Sequence, residues 1–265
     1  MPVTKVGDIN VCYKIRGDGQ SLIAITGFMS AQNTFFTLAR AFAKNHRVIT
    51  FDNRGAGDSD KPTGPYSMSI LASDTIGLMD YLGIDRAHLL GGSMGGMVAQ
   101  HIAIDHPQRL DKLILFSTSA DGRWLFDLAD VTIPNWNRLR SNFTSTDLRK
   151  LIYAMVSRSF NRPFNRLMLV ALAKIQARLG TLKGAAGQVE AIMMHNVLDR
   201  LHLIKAPTLV VTGSKDRLIA PQFSEVLASR VMGAKLVIID GGSHSVAGEM
   251  AGRFNKEVLD FLGGD

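Results

Sequence analysis

Apolar positions along the first 120 residues switch repeatedly between two periods. Short runs rich in aliphatic and β-branched residues, at Val11–Arg16, Leu22–Thr26, Arg47–Phe51, Arg86–Leu90 and Leu113–Phe116, predict strands. Between them lie stretches at helical spacing: Thr34–Lys44, then Ser69–Leu82, then Met94–Asp105, which Pro107 stops. In the second of these, Ile70, Leu71, Leu78, Met79 and Leu82 share one stripe. Gly17-Asp18-Gly19 punctuates the first two strands as a turn. A mostly helical segment from about 121 to 200 interrupts the alternation. It then resumes with a strand at Thr208–Thr212, a helix at Gln222–Arg230, a strand at Lys235–Ile239 and a closing helix at Ala247–Phe261. Strands alternating with helices predict βαβ units, hence an α/β fold whose mostly parallel sheet is covered on both faces. In such open sheets, functional side chains gather on loops beyond the carboxyl ends of the strands. That rule ranks the polar residues.

Composition narrows the field. With 265 residues, 46% hydrophobic and 20% charged, the chain reads as an ordinary globular protein large enough to need no stapling of its core. Cys12 is the sole cysteine, so no internal disulfide and no thiolate zinc site is expected. The N-terminal residues hold no apolar run of signal-peptide length, and Leu167–Ala173 falls far short of the ~20 residues that span a bilayer, so a cytoplasmic protein is expected. The net charge of +7 is concentrated: residues 121–200 carry twelve Lys and Arg against six Asp and Glu, the remainder eighteen against seventeen. These cations are spread singly along helical patterns. That describes a solvated helical face rather than a nucleic-acid footprint.

The strongest chemical signal is Gly91-Gly92-Ser93-Met94-Gly95, a G-x-S-x-G immediately after a predicted buried strand and before a predicted helix. In that context the motif is a nucleophile elbow. Glycines at 91 and 95 remove the Cβ atoms that so tight a reversal would crowd. Ser93 then stands at a helix start, where N–H groups and the dipole favour developing negative charge. The bland alternative is a glycine-rich turn with an N-capping serine. A serine hydroxyl also needs a base and an acid that orients it. Of His101, His106, His195, His202 and His244, only His244 follows a late strand, in the loop Asp240-Gly241-Gly242-Ser243-His244. Asp216 follows the strand Thr208–Thr212 through Gly213-Ser214-Lys215 and is the preferred acid; Asp240 and Asp121 are its rivals.

With these residues the chain resembles the α/β-hydrolase superfamily over nearly its whole length. Four pieces carry the resemblance: Ile25-Thr26-Gly27-Phe28, the segment Phe51-Asp52-Asn53-Arg54-Gly55-Ala56-Gly57-Asp58-Ser59, the elbow, and the Asp216 and His244 loops. Among subfamilies it is most similar to small carboxylesterases, 3-oxoadipate enol-lactonases and cofactor-free haloperoxidase or perhydrolase enzymes. The resemblance implies a sheet of about eight strands and a core of residues 1–120 and 201–265, with 121–200 inserted as a helical cap. It implies a catalytic triad of Ser93, Asp216 and His244, and an oxyanion hole from the N–H groups of Phe28 and Met94. Thr26 stands where the family usually has histidine.

The expected activity is hydrolysis of carboxylic esters through an acyl-enzyme, with no cofactor, no metal and no nucleic-acid partner. The partner is a small ester or lactone; a homo-oligomer stays open. Enol-lactonase or perhydrolase activity on the same triad is the alternative. Carbon–carbon bond hydrolases tend to carry His-Gly-x-Gly in the oxyanion loop and Asn before the serine, where this chain has Gly92. A ligand receptor that kept the fold and lost turnover is the reading from another class. No G-x-G-x-x-G, P-loop or H-E-x-x-H occurs. Trp124, Phe126, Trp136, Met155, Met168, Met193 and Met194 are the expected apolar lining from the cap.

Overall fold

The computed structural model describes residues 1–122, 144–160 and 181–263. Eight strands form one sheet: β1 (Val3–Val6), β2 (Ile9–Arg16), β3 (Ser21–Ile25), β4 (Arg47–Phe51), β5 (Ala87–Gly92), β6 (Leu110–Phe116), β7 (Thr208–Gly213) and β8 (Lys235–Ile239). Their order is β1-β2-β4-β3-β5-β6-β7-β8. The β1–β2 and β2–β4 pairs are antiparallel; the five pairs from β4–β3 to β7–β8 are parallel. The architecture is thus the expected α/β sheet.

Helices α1 (Phe36–Phe42), α2 (Met68–Tyr81) and α3 (Met94–Asp105) connect the first six strands. α4 (Ser145–Ser159) and α5 (Leu182–Met193) lie between β6 and β7, and α6 (Pro221–Arg230), α7 (Val246–Glu249) and α8 (Ala251–Gly263) complete the chain. Residues of the central strands point alternately to the two faces, and the core divides accordingly. Leu89, Leu113, Leu115 and Val210 pack with α2 and α3, whereas Leu90, Ile114, Phe116, Leu209 and Val211 pack with α1 and α8. α8 offers Phe254, Val258 and Leu262, four residues apart, to that second core. Because both faces are covered, all six residues of β5 are buried.

Three sequence expectations need correction. β1 carries only two buried side chains, Thr4 and Val6, too short an alternation to stand out from the pattern. The expected helix from Thr34 opens instead with a 3-10 turn, Gln32–Phe35, before α1. The single closing helix is two, α7 and α8, broken at Met250. Within the insert, α4 buries Leu148, Leu151, Ile152 and Met155 as its spacing requires. Of the expected cap lining, Trp124, Phe126, Trp136 and Met168 lie outside the described residues.

Candidate active site

Strand β5 ends at Gly92, and α3 begins at Met94, so the whole reversal falls on Ser93. Its backbone is left-handed, φ 53° and ψ −123°, a conformation that costs a non-glycine residue on the order of 1–3 kcal/mol. Bonds beyond its own helix hold it: Ser93 N–H donates to the Phe116 carbonyl at 3.0 Å, and the Thr118 hydroxyl donates to the Ser93 carbonyl at 2.7 Å. The glycines fit the expected close approach. A Cβ on Gly91 would overlap the Gly95 carbonyl, and one on Gly95 would overlap the Ile25 carbonyl at the end of β3. Met94 is the first residue of α3, and its N–H is one of the four that a helix leaves without an internal partner.

The candidate acid and base follow the two strands beyond β6, at that end of the sheet. Asp216 follows β7 and His244 follows β8, and His244 Nδ1 lies 2.9 Å from Asp216 Oδ2. A carboxylate only accepts, so the proton sits on Nδ1 and Nε2 is left as the acceptor. The other carboxylate oxygen, Oδ1, accepts the N–H groups of Leu218 and Ile219, both at 2.9 Å. Asp216 is thereby bonded through both oxygens with its side chain wholly buried, while His244 keeps 11% exposure. Its rivals are placed otherwise. Asp240 is exposed and accepts the Ser214 hydroxyl, whereas Asp121 is buried in a bridge to Asn196.

Ser93 and His244 line one cavity of about 370 Å³. Phe35, Leu38 and Phe116 form one apolar wall, and Ile152, Met155 and Val156 of α4 form another. Of the methionines expected there, Met155 lines the cavity; Met193 is buried elsewhere and Met194 is exposed. No Lys or Arg lines it among the described residues. The other histidines stand apart from the cavity. His195 packs on His101, and burial pushes its pKa down to about 3.

The loop after β3 reaches Ser93. A Cβ on Gly27 would lie 3.3 Å from Ser93 Cβ, and Phe28 lines the same cavity. Thr26 answers for the histidine usual at its position: its hydroxyl donates across the loop to the Ser30 carbonyl at 3.1 Å, and Asn53 donates to the Thr26 carbonyl at 3.0 Å. Side chains that the sequence reading passed over tie the insert to these loops. Ser243 Oγ and Ser245 N–H, on either side of His244, both donate to the Ser159 carbonyl at the end of α4, at 2.7 and 3.1 Å. Arg217, beside Asp216, donates to the carbonyls of Ser157 and Phe160. Gln188 of α5 is fully buried and bonded at both ends. Its signal in the sequence was a polar residue among the apolar positions of a helix.

One group of described residues has the makings of a metal site, Cys12, Asp52 and Asp58, whose ligand atoms lie within 4.8 Å of one another. None lines the cavity, and the Asp52 oxygens already accept the N–H groups of Gln32 and Asp58. Among the described residues no helix is long and apolar enough to cross a membrane.

Comparison with known proteins identifies the fold family. The family model described as alpha/beta hydrolase fold matches residues 20–249. A 2-hydroxy-6-oxononadienedioate/2-hydroxy-6-oxononatrienedioate hydrolase of Paraburkholderia phymatum is 31% identical over 97% of this chain and 92% of its own. A protein of Azorhizobium caulinodans assigned as carbamate hydrolase RutD is 24% identical over 99% of this chain and 98% of its own. The crystal structure of the enol-lactonase from Burkholderia xenovorans superposes with a TM-score of 0.82 at 27% identity, covering 98% of this chain and 99% of that one.

Proposed function

The chain belongs to the alpha/beta hydrolase fold family, and from that premise we propose that it is a serine hydrolase of carboxylic esters, with Ser93, Asp216 and His244 as its triad. One observation carries the reading: a histidine held at Nδ1 by a doubly anchored buried carboxylate, sharing a cavity with a serine in strained backbone conformation. Ser93 Oγ attacks the ester carbonyl carbon while His244 Nε2 takes its proton. The carbonyl π pair moves to oxygen, which the N–H groups of Phe28 and Met94 receive. The tetrahedral adduct collapses, the C–O bond breaks, and His244 returns the proton to the departing alkoxide. Water then attacks the acyl-enzyme by the same proton path and releases the acid. Asp216 keeps the imidazole in the tautomer that leaves Nε2 free, and stabilises the imidazolium.

The insert over residues 121–200 serves as a cap that selects the ester. The α4 wall supports this, because Ile152, Met155 and Val156 face the cavity that holds Ser93. Apolar walls with no lysine or arginine among the described lining residues favour an uncharged acyl or alcohol portion. Gly92 stands before Ser93 where the carbon–carbon bond hydrolases tend to carry Asn, which favours ester hydrolysis over that chemistry. A second reading, lactone hydrolysis, has a specific support in the full-length likeness to the enol-lactonase. A lactone is an internal ester and needs the same attack.

Intact-mass analysis after treatment with a fluorophosphonate tests the nucleophile: one adduct, mapped to Ser93, is expected. Adducts elsewhere with Ser93 untouched overturn the assignment. A panel of p-nitrophenyl esters, an enol-lactone and peracid formation, run side by side, ranks the substrates. No turnover of any of them by a protein that labels stoichiometrically would sink the ester reading.

A further inference from the structure

The loop that carries the Phe28 N–H is fixed from two sides. On the core side, Thr26 bonds across to Ser30. At its crest Met29 is fully buried and left-handed, φ 49°, an unusual state for a non-glycine residue. Its N–H donates at 2.8 Å to Gln188 Oε1, which lies 159 positions away on α5. The amide nitrogen of Gln188 donates at 2.8 Å to the Arg54 carbonyl. That second bond fixes which end of the amide faces Met29, since a carbonyl can receive only the NH2 end.

Close packing brings the helix within reach. A Cβ on Gly184 would overlap the Gly55 carbonyl, and one on Gly187 would lie 2.6 Å from the Tyr66 ring. Glycine at both positions lets α5 settle onto the 53–66 loop, with Gln188 aimed between that loop and Met29. Gln188 does not line the cavity, so it has no part in holding substrate there. Without it, a buried N–H at Met29 would lose its acceptor, and the strained crest would lose the bond that holds it.

Resting on the serine-hydrolase reading above, we propose that Gln188 is a positioning residue for the oxyanion loop. By fixing the Met29 N–H and the left-handed turn at that residue, it sets the direction of the preceding Phe28 N–H. The insert therefore completes the oxyanion hole as well as walling the cavity. Its effect falls on the transition state, where the oxyanion forms, and hardly on the bound ester.

The test compares Gln188→Met, which keeps the volume and removes both bonds, with Gln188→Glu. Rates are measured on p-nitrophenyl butyrate and divided by the sites titrated with fluorophosphonate. Gln188→Met is expected to lower kcat about ten- to hundredfold with KM within about twofold, the scale of a displaced catalytic contact. In Gln188→Glu the introduced carboxyl, while protonated, can accept from Met29 and donate to Arg54. Once ionised it turns only acceptors toward the Arg54 carbonyl. Its kcat relative to wild type should therefore be near one at low pH and fall as pH rises. A purely structural role would lower Tm in both variants, leave kcat per titrated site unchanged and give a pH-independent ratio; that result overturns the proposal. If Gln188→Met does not fold, the pH dependence of Gln188→Glu decides alone. The two readings fail separately: wild type that neither labels at Ser93 nor turns over brings down the hydrolase reading, whereas active wild type with unaffected variants brings down only the role of Gln188.

Discussion

Replacing Asp216 by asparagine changes one atom and should silence the enzyme. The side chain is wholly buried, and Oδ1 accepts two backbone N–H groups, from Leu218 and Ile219, each at 2.9 Å. Asparagine has one oxygen, and those two donors claim it. Turning its NH2 toward them instead would leave two buried N–H groups unbonded, at about 1–3 kcal/mol each. The NH2 therefore faces His244 Nδ1 across the 2.9 Å gap and donates there. The imidazole proton moves to Nε2, the nitrogen that must accept the Ser93 proton. Recovering the productive tautomer means reversing the amide, so the penalty is roughly 2–6 kcal/mol, or between about thirty-fold and a little over 10⁴-fold in rate. In the serine-protease triad the equivalent change costs about 10⁴. We expect kcat on p-nitrophenyl acetate to fall on the order of 10³–10⁴, with a circular-dichroism melt showing a folded protein. Asp240→Asn, which alters an exposed carboxylate bonded to Ser214, should stay within about twofold. A folded Asp216→Asn protein that keeps more than a tenth of its activity, or a larger loss in Asp240→Asn, would refute the assignment of the acid.

Two further outcomes are expected. Val156→Phe adds volume on the α4 wall of the cavity and should lower kcat/KM for a C8 p-nitrophenyl ester several-fold more than for the acetate; an unchanged chain-length profile would remove α4 from substrate selection. His88 is buried at the start of β5 against His46, with neither ring nitrogen bonded, and burial, partly opposed by Asp111, brings its pKa down to about 4. It stays neutral when folded and takes up a proton more readily when unfolded. Its share of stability is therefore present above the ordinary histidine range and lost as pH falls from about 6.5 toward 4, up to about 3 kcal/mol. His88→Leu should flatten the decline of Tm between pH 7 and pH 4.5, and an unchanged slope would show that other groups drive acid unfolding.

Local pattern made most of the fold legible. The strands Arg47–Phe51 and Lys235–Ile239 and the helix Met94–Asp105 coincide with β4, β8 and α3, because each is an apolar-rich run bounded by turn residues or proline. The sheet class followed from alternation, and the elbow from glycine spacing. β1 escaped because two buried side chains do not make a period, and it is defined by pairing with β2. The break at Met250 has no glycine or proline at that position to mark it.

By itself, the sequence indicated most of the order of strands and helices, the candidate nucleophile and the short list of candidate bases, since each rests on neighbours a few residues apart. The sequence already preferred Asp216 over Asp240 as the acid, and the tertiary structure supplies the contacts that support that proposal. Those contacts depend on which carboxylate meets a histidine 28 positions away and is bonded on its far side, distances along the chain over which spacing carries no information. The same holds for Thr26, whose hydroxyl spans the loop to Ser30, and for Gln188, a buried polar residue of α5 that the sequence reading passed over. Its two partners come from loops more than 130 positions distant, and only the close approach of Gly184 to Gly55 brings them together. Periodicity records which face of an element is buried; what that face meets is set when the sheet closes the chain upon itself.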